Sequence, residues 1–194
     1  MNKELRNLLF YEAQSKNMLH LLITCFLYPE IALQCAYRKA QVYTQSHNPL
    51  VKYFWKYKWL RIRKKSHCQV SLNADIGRGL RFWHDGPRLV VSGAKLGENC
   101  TLGINTVIGL NYPSSGGLAE FPTIGDRVYV GHNASIVGGV KIGNDVVIAC
   151  NAFVNKDVPD HSIVVGNNTI IHQKNPSLRF LRYNLENSCH DQIT

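Results

Sequence analysis

Acidic residues are scarce in this chain of 194, where 13 Asp and Glu face 22 Lys and Arg for a net charge of +9. The scarcity is local. Met1 to His67 holds twelve cations against three Glu, the whole of the excess, and the remainder balances ten against ten. Long apolar runs are also missing. The strongest, "LHLLITCFL" from Leu19, is too short to span a bilayer, and no secretory signal precedes it. A cytoplasmic protein is expected. The six cysteines, at 25, 35, 68, 100, 150 and 189, include no pair at metal-ligand spacing, which argues against a zinc cluster and for unbridged thiols.

What the chain does have is a count of six. Ile124, Val130, Ile136, Ile142, Ile148 and Val154 follow one another at that interval. Four residues after each comes a second small or branched apolar side chain, from Val128 to Val158. A helix returns its apolar face every three or four residues and a single strand every two, so neither accounts for six. A solenoid does, if each hexad is a short strand and a turn and three hexads close a triangular coil of about 18 residues. Glycines such as Gly125, Gly131 and Gly143 are expected to relieve the corners.

The same register holds at Val70, Ile76 and Phe82, and again at Val90, Leu96, Leu102 and Ile108. Between Phe82 and Val90 one hexad is expanded to eight, around "GLRFWHDGPRLVV". The loop "LNYPSSGGLAEF", Leu110 to Phe121, is the second interruption. Both are places where function can displace regularity.

Ahead of the repeat, Leu33, Ala36, Tyr37 and Ala40 fall at helical spacing, so the first region reads as several helices. The expected organisation is a basic helical region over 1–67, the repeat over 68–166 and a tail over 167–194. Lys52 to Lys65 interleaves seven cations with aromatics and contains no acid. A solvated helix face, a membrane surface and a nucleic acid all fit such a stretch, the last least well.

The segments "YPEIALQCAYRKA", "IGRGLRFWHDG", "IGDRVYVGHNASIVGGVKIG" and "VPDHSIVVG" resemble the serine acetyltransferase branch of the hexapeptide-repeat acyltransferases. The resemblance runs from about Tyr28 to Gly166. It implies a mainly β fold, a left-handed parallel β-helix preceded by a small helical region. It also implies a homotrimer, with pairing of trimers left open, and acetyl-CoA as co-substrate in the groove between subunits. The family's catalytic histidine maps onto His84, and its cofactor-binding positions map onto Gly109, Gly131, His132, Cys150 and Asn151. A neutral imidazole suits the chemistry, because a hydroxyl attacking a thioester must lose its proton as the bond forms. No metal is expected: a γ-type carbonic anhydrase shares the prism but needs closely spaced zinc-binding histidines, and this repeat has none.

Four positions depart from the serine-specific pattern. Trp83 stands where an Asp precedes the histidine, Glu120 and Phe121 replace an Arg-His pair, and Gln69 replaces the Asp that orients the histidine. Asp85 can take that orienting role or be an Asx-turn residue. With Trp83, Glu120 and Phe121 as acceptor contacts, the expected acceptor is a sugar hydroxyl, free or lipid-linked, in surface polysaccharide biosynthesis. The alternative is serine O-acetylation in cysteine biosynthesis. A β-helix that only binds a partner is a third reading, disfavoured by the presence of His84.

Overall fold

The computed structural model describes residues 3–83, 89–91, 93–111 and 120–180. Four helices come first: α1 (Lys3–Glu12), α2 (Met18–Leu27), α3 (Pro29–Tyr43) and α4 (Pro49–Ser66). Their starts are written locally. The Asn17 side chain accepts from His20 N at 2.8 Å to cap α2, and Asn48 accepts from Leu50 N at 2.9 Å to cap α4. Pro29 and Pro49 occupy first-turn positions where a missing N–H costs nothing. Arg63, Lys64 and Lys65 suit the negative end of the α4 dipole.

Fifteen short strands among the described residues then build three walls. One wall stacks β1 (Cys68–Val70), β4 (Leu89–Val91), β7 (Val107–Gly109), β10 (Ser135–Val137) and β13 (Phe153–Val154). The second stacks β2 (Asp75–Ile76), β5 (Lys95–Leu96), β8 (Thr123–Ile124) and β11 (Lys141–Ile142). The third holds β3 (Arg81–Phe82), β6 (Thr101–Leu102), β9 (Tyr129–Val130), β12 (Val147–Ile148), β14 (Ser162–Val165) and β15 (Thr169–His172). Neighbours are parallel except the β14–β15 hairpin, which carries the third wall past Gly166. The fold is a left-handed β-helix.

The count of six becomes a stacked core. Ile124 pairs with Ile142, Val130 with Ile148 and Ile136 with Val154, each 18 positions on, and all six are at most 3% exposed. The second set, Val128 to Val158, is buried too. The coil with the broken hexad is longer: Ile76 pairs with Leu96 and Phe82 with Leu102, 20 positions on. Here the expected register needs correction. Val70 and Ile108 pair with Val91, which is fully buried, so the core position falls at Val91. Two adjacent valines satisfy the same apolar rule, and spacing alone could not separate them.

The glycines also act differently from expectation. Gly125 and Gly131 do not have left-handed backbones; they permit close stacking, since a Cβ on Gly131 would lie 2.6 Å from Cys150 N. Left-handed corners are filled instead by Asn99, Asn105, Arg127, Asn133, Asp145, Asn151 and His161, at φ between 53° and 59°. Asn is among the residues that tolerate this region best. Asn105, Asn133 and Asn151 stack, with Nδ2 of each donating to the next Oδ1 at 3.0 and 3.2 Å.

An open end of a β-helix exposes unpaired carbonyls, and α3 covers the first coil's. Tyr37 Oη donates to Ser71 O at 3.1 Å, Gln41 Nε2 to Ala74 O at 3.1 Å and Arg38 Nη1 to Ile76 O at 2.8 Å. Arg38 Nη2 also donates to Gly77 O, and Gln34 Nε2 to Leu80 O. Leu33, Tyr37 and Ala40 join the core of the β-helix, while Ile31 and Cys35 face α1 and α2 in a separate cluster with Leu5, Leu9 and Leu21. No helix among the described residues is long and apolar enough to cross a membrane.

Candidate active site

The broken hexad begins beside a built aromatic cluster. Phe82 is fully buried, which turns its neighbours Arg81 and Trp83 outward, and Trp83 N donates to Leu102 O at 2.9 Å. The Trp83 ring meets Tyr129 edge-on at 5.3 Å between centroids, Phe180 at 6.3 Å and the His132 ring at 6.4 Å. The Arg81 guanidinium lies over it, 5.1 Å from the ring centroid. Tyr129 reaches the cluster because it shares an outer column with Arg81, through the pairs Arg81–Thr101 and Thr101–Tyr129. Burial, and then the nearby Cys150, raise the Tyr129 phenol above its ordinary value.

Phe180 arrives from outside the repeat. It closes a 3₁₀ helix, Pro176–Phe180, anchored by Asp145. That carboxylate is 2% exposed and accepts from Ser177 N at 3.2 Å, from Ser177 Oγ, and from His161 Nδ1 at 2.7 Å on its other oxygen. The sequence pattern singles out none of Asp145, His161, Ser177 and Phe180. An outer-column argument over successive coils could have found Tyr129; the hexad pattern contains nothing that points to Phe180.

His84 and Asp85 lie outside the described residues. Of the expected cofactor positions, His132 is half-buried and its Nδ1 accepts from Ile104 N at 2.9 Å, which puts the ring proton on Nε2. Asn151 N donates to His132 O at 2.9 Å. Cys150 and Asn151 are exposed at one corner and Gly109 is half-buried, whereas Gly131 is buried between coils. The accessible three, with His132, can offer small side chains and amide edges to a thin ligand lying along the wall.

The expected acceptor contacts do not gather as one open platform. Trp83 is taken up by Tyr129, Phe180, His132 and Arg81. The Phe121 ring lies over Gly93 and the Glu120 side chain over Gly139, where a Cβ would come within 2.7 and 2.1 Å of them. In the basic stretch, Trp59 is buried against Tyr37 and Trp55 stacks on Tyr43 at 4.9 Å, while Tyr53, Phe54 and Tyr57 stay exposed.

The family described as bacterial transferase hexapeptide (six repeats) matches residues 121–156. A serine acetyltransferase of Mycobacterium tuberculosis is 40% identical over 91 residues, 44% of this chain and 40% of that protein. One from Helicobacter pylori is 33% identical over 98 residues, 50% of this chain and 56% of that one. The matches thus span about half the length of these relatives. Among solved structures, Neisseria gonorrhoeae serine acetyltransferase superposes with a TM-score of 0.71 at 22% identity, over 95% of this chain and 72% of that one. The soybean serine acetyltransferase apoenzyme gives 0.70 at 25% identity, over 88% and 70%.

These findings overturn the sugar-acetylation expectation. It rested on Trp83, Glu120 and Phe121 as an apolar acceptor face, but Trp83 packs within its own chain and the relatives are named for serine. A lipid-linked acceptor and membrane contact draw no support from them either. Repeat, fold and relatives together make the chain serine acetyltransferase-like, with the bacterial transferase hexapeptide repeat matched over residues 121–156.

Proposed function

We propose that this protein is an acetyl-CoA-dependent O-acetyltransferase whose acceptor is the hydroxyl of serine, acting in the cytoplasm as a homotrimer with active sites between subunits. The observation that carries the reading is the 40% identity of its matched region to a serine acetyltransferase. In the proposed reaction His84 takes the serine hydroxyl proton as the oxygen attacks the thioester carbonyl. The thiolate of CoA then leaves and recovers a proton from the imidazole.

A zwitterionic acceptor needs a partner for each charge. The sequence alone offered none, since the family's Asp and Arg-His pair are absent. Arg81 supplies a guanidinium beside Trp83, at the entrance to the broken hexad, and Glu120 supplies an exposed carboxylate. Across the proposed groove we assign Arg81 of one subunit and Glu120 of its neighbour to the carboxylate and ammonium of serine. Gly109, His132, Cys150 and Asn151 are the residues assigned to hold the CoA arm.

The test is release of CoA thiol from acetyl-CoA by the purified protein, with L-serine and without, and mass spectrometry of the product. Serine-dependent release with formation of O-acetylserine is expected. Acetyl-CoA turnover that ignores serine over a wide concentration range would overturn the assignment. Light scattering tests the assembly, where a 22 kDa species at micromolar concentration would remove the inter-subunit site.

A further inference from the structure

Two cysteines meet away from the candidate active site. Cys25 of α2 and Cys35 of α3 hold their sulfurs 3.6 Å apart, so a small shift of either side chain brings them to bonding distance. Cys35 is buried among Leu5, Leu9, Leu21 and Ile31; Cys25 is half-buried, and both line a groove together with the half-buried Lys39. Of the two, Cys25 is the more accessible.

The electrostatics give the two sulfurs different roles. The hydrogen bond with Cys35 is the main cause that brings the Cys25 thiol from its ordinary value to about 7; burial opposes and the Lys39 ammonium assists. The shift favours the thiolate of Cys25, the reactive form. Burial pushes Cys68 and Cys100 the other way, to about 12, and leaves them protonated and inert.

We propose that Cys25 and Cys35 are a peroxide-reactive dithiol that closes reversibly to a disulfide joining α2 to α3. In the first step the Cys25 thiolate attacks one oxygen of a hydroperoxide. The O–O bond breaks, the sulfur becomes a sulfenic acid, and hydroxide or alkoxide leaves and takes up a proton. In the second step Cys35, giving up its proton, attacks the sulfenyl sulfur. The S–S bond forms, the S–O bond breaks and water leaves. With hydrogen peroxide, two thiols and one peroxide yield one disulfide and two waters, and a dithiol reductant reverses the change.

The bridge would act on a particular part of the molecule. Cys35 belongs to the helix whose Gln34, Tyr37, Arg38 and Gln41 hold the first coil's carbonyls. Cys25 belongs to the helix that leaves Leu22, Phe26 and Leu27 exposed. Oxidation would fix the second helix to the first, and so to the end of the β-helix.

The test uses the whole reduced protein with hydrogen peroxide at neutral pH, followed by blocking of remaining thiols under denaturing conditions with N-ethylmaleimide. No Lys or Arg lies between Lys16 and Arg38, so trypsin leaves both cysteines on one peptide, and cleavage at Glu30 separates them. The expected result is two peptides that stay joined until dithiothreitol is added, with Cys68 and Cys100 still blocked by maleimide. Cys35→Ser should abolish the link and leave a sulfenic acid at Cys25 that dimedone traps. Cys25→Ser should slow oxidation of Cys35 at least tenfold. Maleimide on both Cys25 and Cys35 after peroxide has been consumed, or a Cys25 link to some other cysteine, would overturn the proposal. The wild-type mapping requires no variant to fold.

Discussion

The ring of Phe180 stacks on that of Tyr129, with 4.1 Å between centroids and 19° between planes. A residue beyond the last strand thereby closes over the outer column of the β-helix and touches Trp83 from a second side. Stacked aromatic pairs contribute about 0.5–1.5 kcal/mol beyond the area they bury. Phe180→Ala should therefore lower Tm by roughly 1–6 °C for a chain of this size. Because Trp83 loses a neighbour, KM for the acceptor should rise more than kcat falls. A thermal scan and a serine titration check both, and an unchanged Tm would show that the contact carries no weight.

Replacing His84 tests the chemistry. Loss of a general base costs a factor on the order of a hundred to ten thousand, so His84→Ala should reduce serine-dependent CoA release by that amount while Tm stays within about 2 °C. Near-normal turnover would remove His84 from the reaction.

Asp145 is the anchor of the C-terminal segment, and its removal leaves the Ser177 N–H and hydroxyl, both buried, without their acceptor. Asp145→Ala should cost on the order of 3 kcal/mol in urea unfolding. Ser177→Ala, which removes a donor and keeps the acceptor's other partners, should cost about 1 kcal/mol. If the two variants cost the same small amount, the carboxylate is not the anchor.

Alkaline pH should weaken the fold through its buried thiols. Burial pushes Cys100 from 9.0 to about 12. Below pH 9 both states keep the proton, and the full contribution to stability is present. As pH rises from 9 toward 12 the unfolded chain releases the proton first, and stability falls by up to about 1.4 kcal/mol per pH unit. Cys100→Ala pays for a cavity at every pH but escapes this loss. Its deficit against wild type should shrink between pH 8 and pH 10.5, and a constant deficit would contradict the burial argument.

The coil was legible because one physical demand, an apolar residue on each wall, recurs at fixed spacing from Ile124 to Val158. The same demand failed at Val90 and Val91, two interchangeable residues decided by which one pairs with Val70. The corner rule failed for another reason: Asn133 and Asn151 tolerate a left-handed backbone well enough to free the glycines for close stacking. The helices were visible in Leu33, Tyr37 and Ala40, but the task of Gln34 and Arg38 was not. Their acceptors are backbone carbonyls some 40 positions away, and carbonyls have no sequence signature. Among candidate site residues, His84 came from a resemblance and Trp83 from its place beside it. Arg81 and Tyr129 needed the stacking of coils before they could be seen as neighbours.

One coil of the β-helix carries ten residues more than its plain counterparts, since Leu96 pairs with Ile124, Leu102 with Val130 and Ile108 with Ile136, each 28 positions on. The excess departs and returns at Asn111 and Glu120, whose backbones bond to each other at 3.3 Å in both directions. The three walls do not register its presence. Such a seam makes the prism a chassis: a peptide grafted between those two positions would be displayed at a fixed height on the wall, and loop diversity there can drift or be engineered without any entry in the core's accounts.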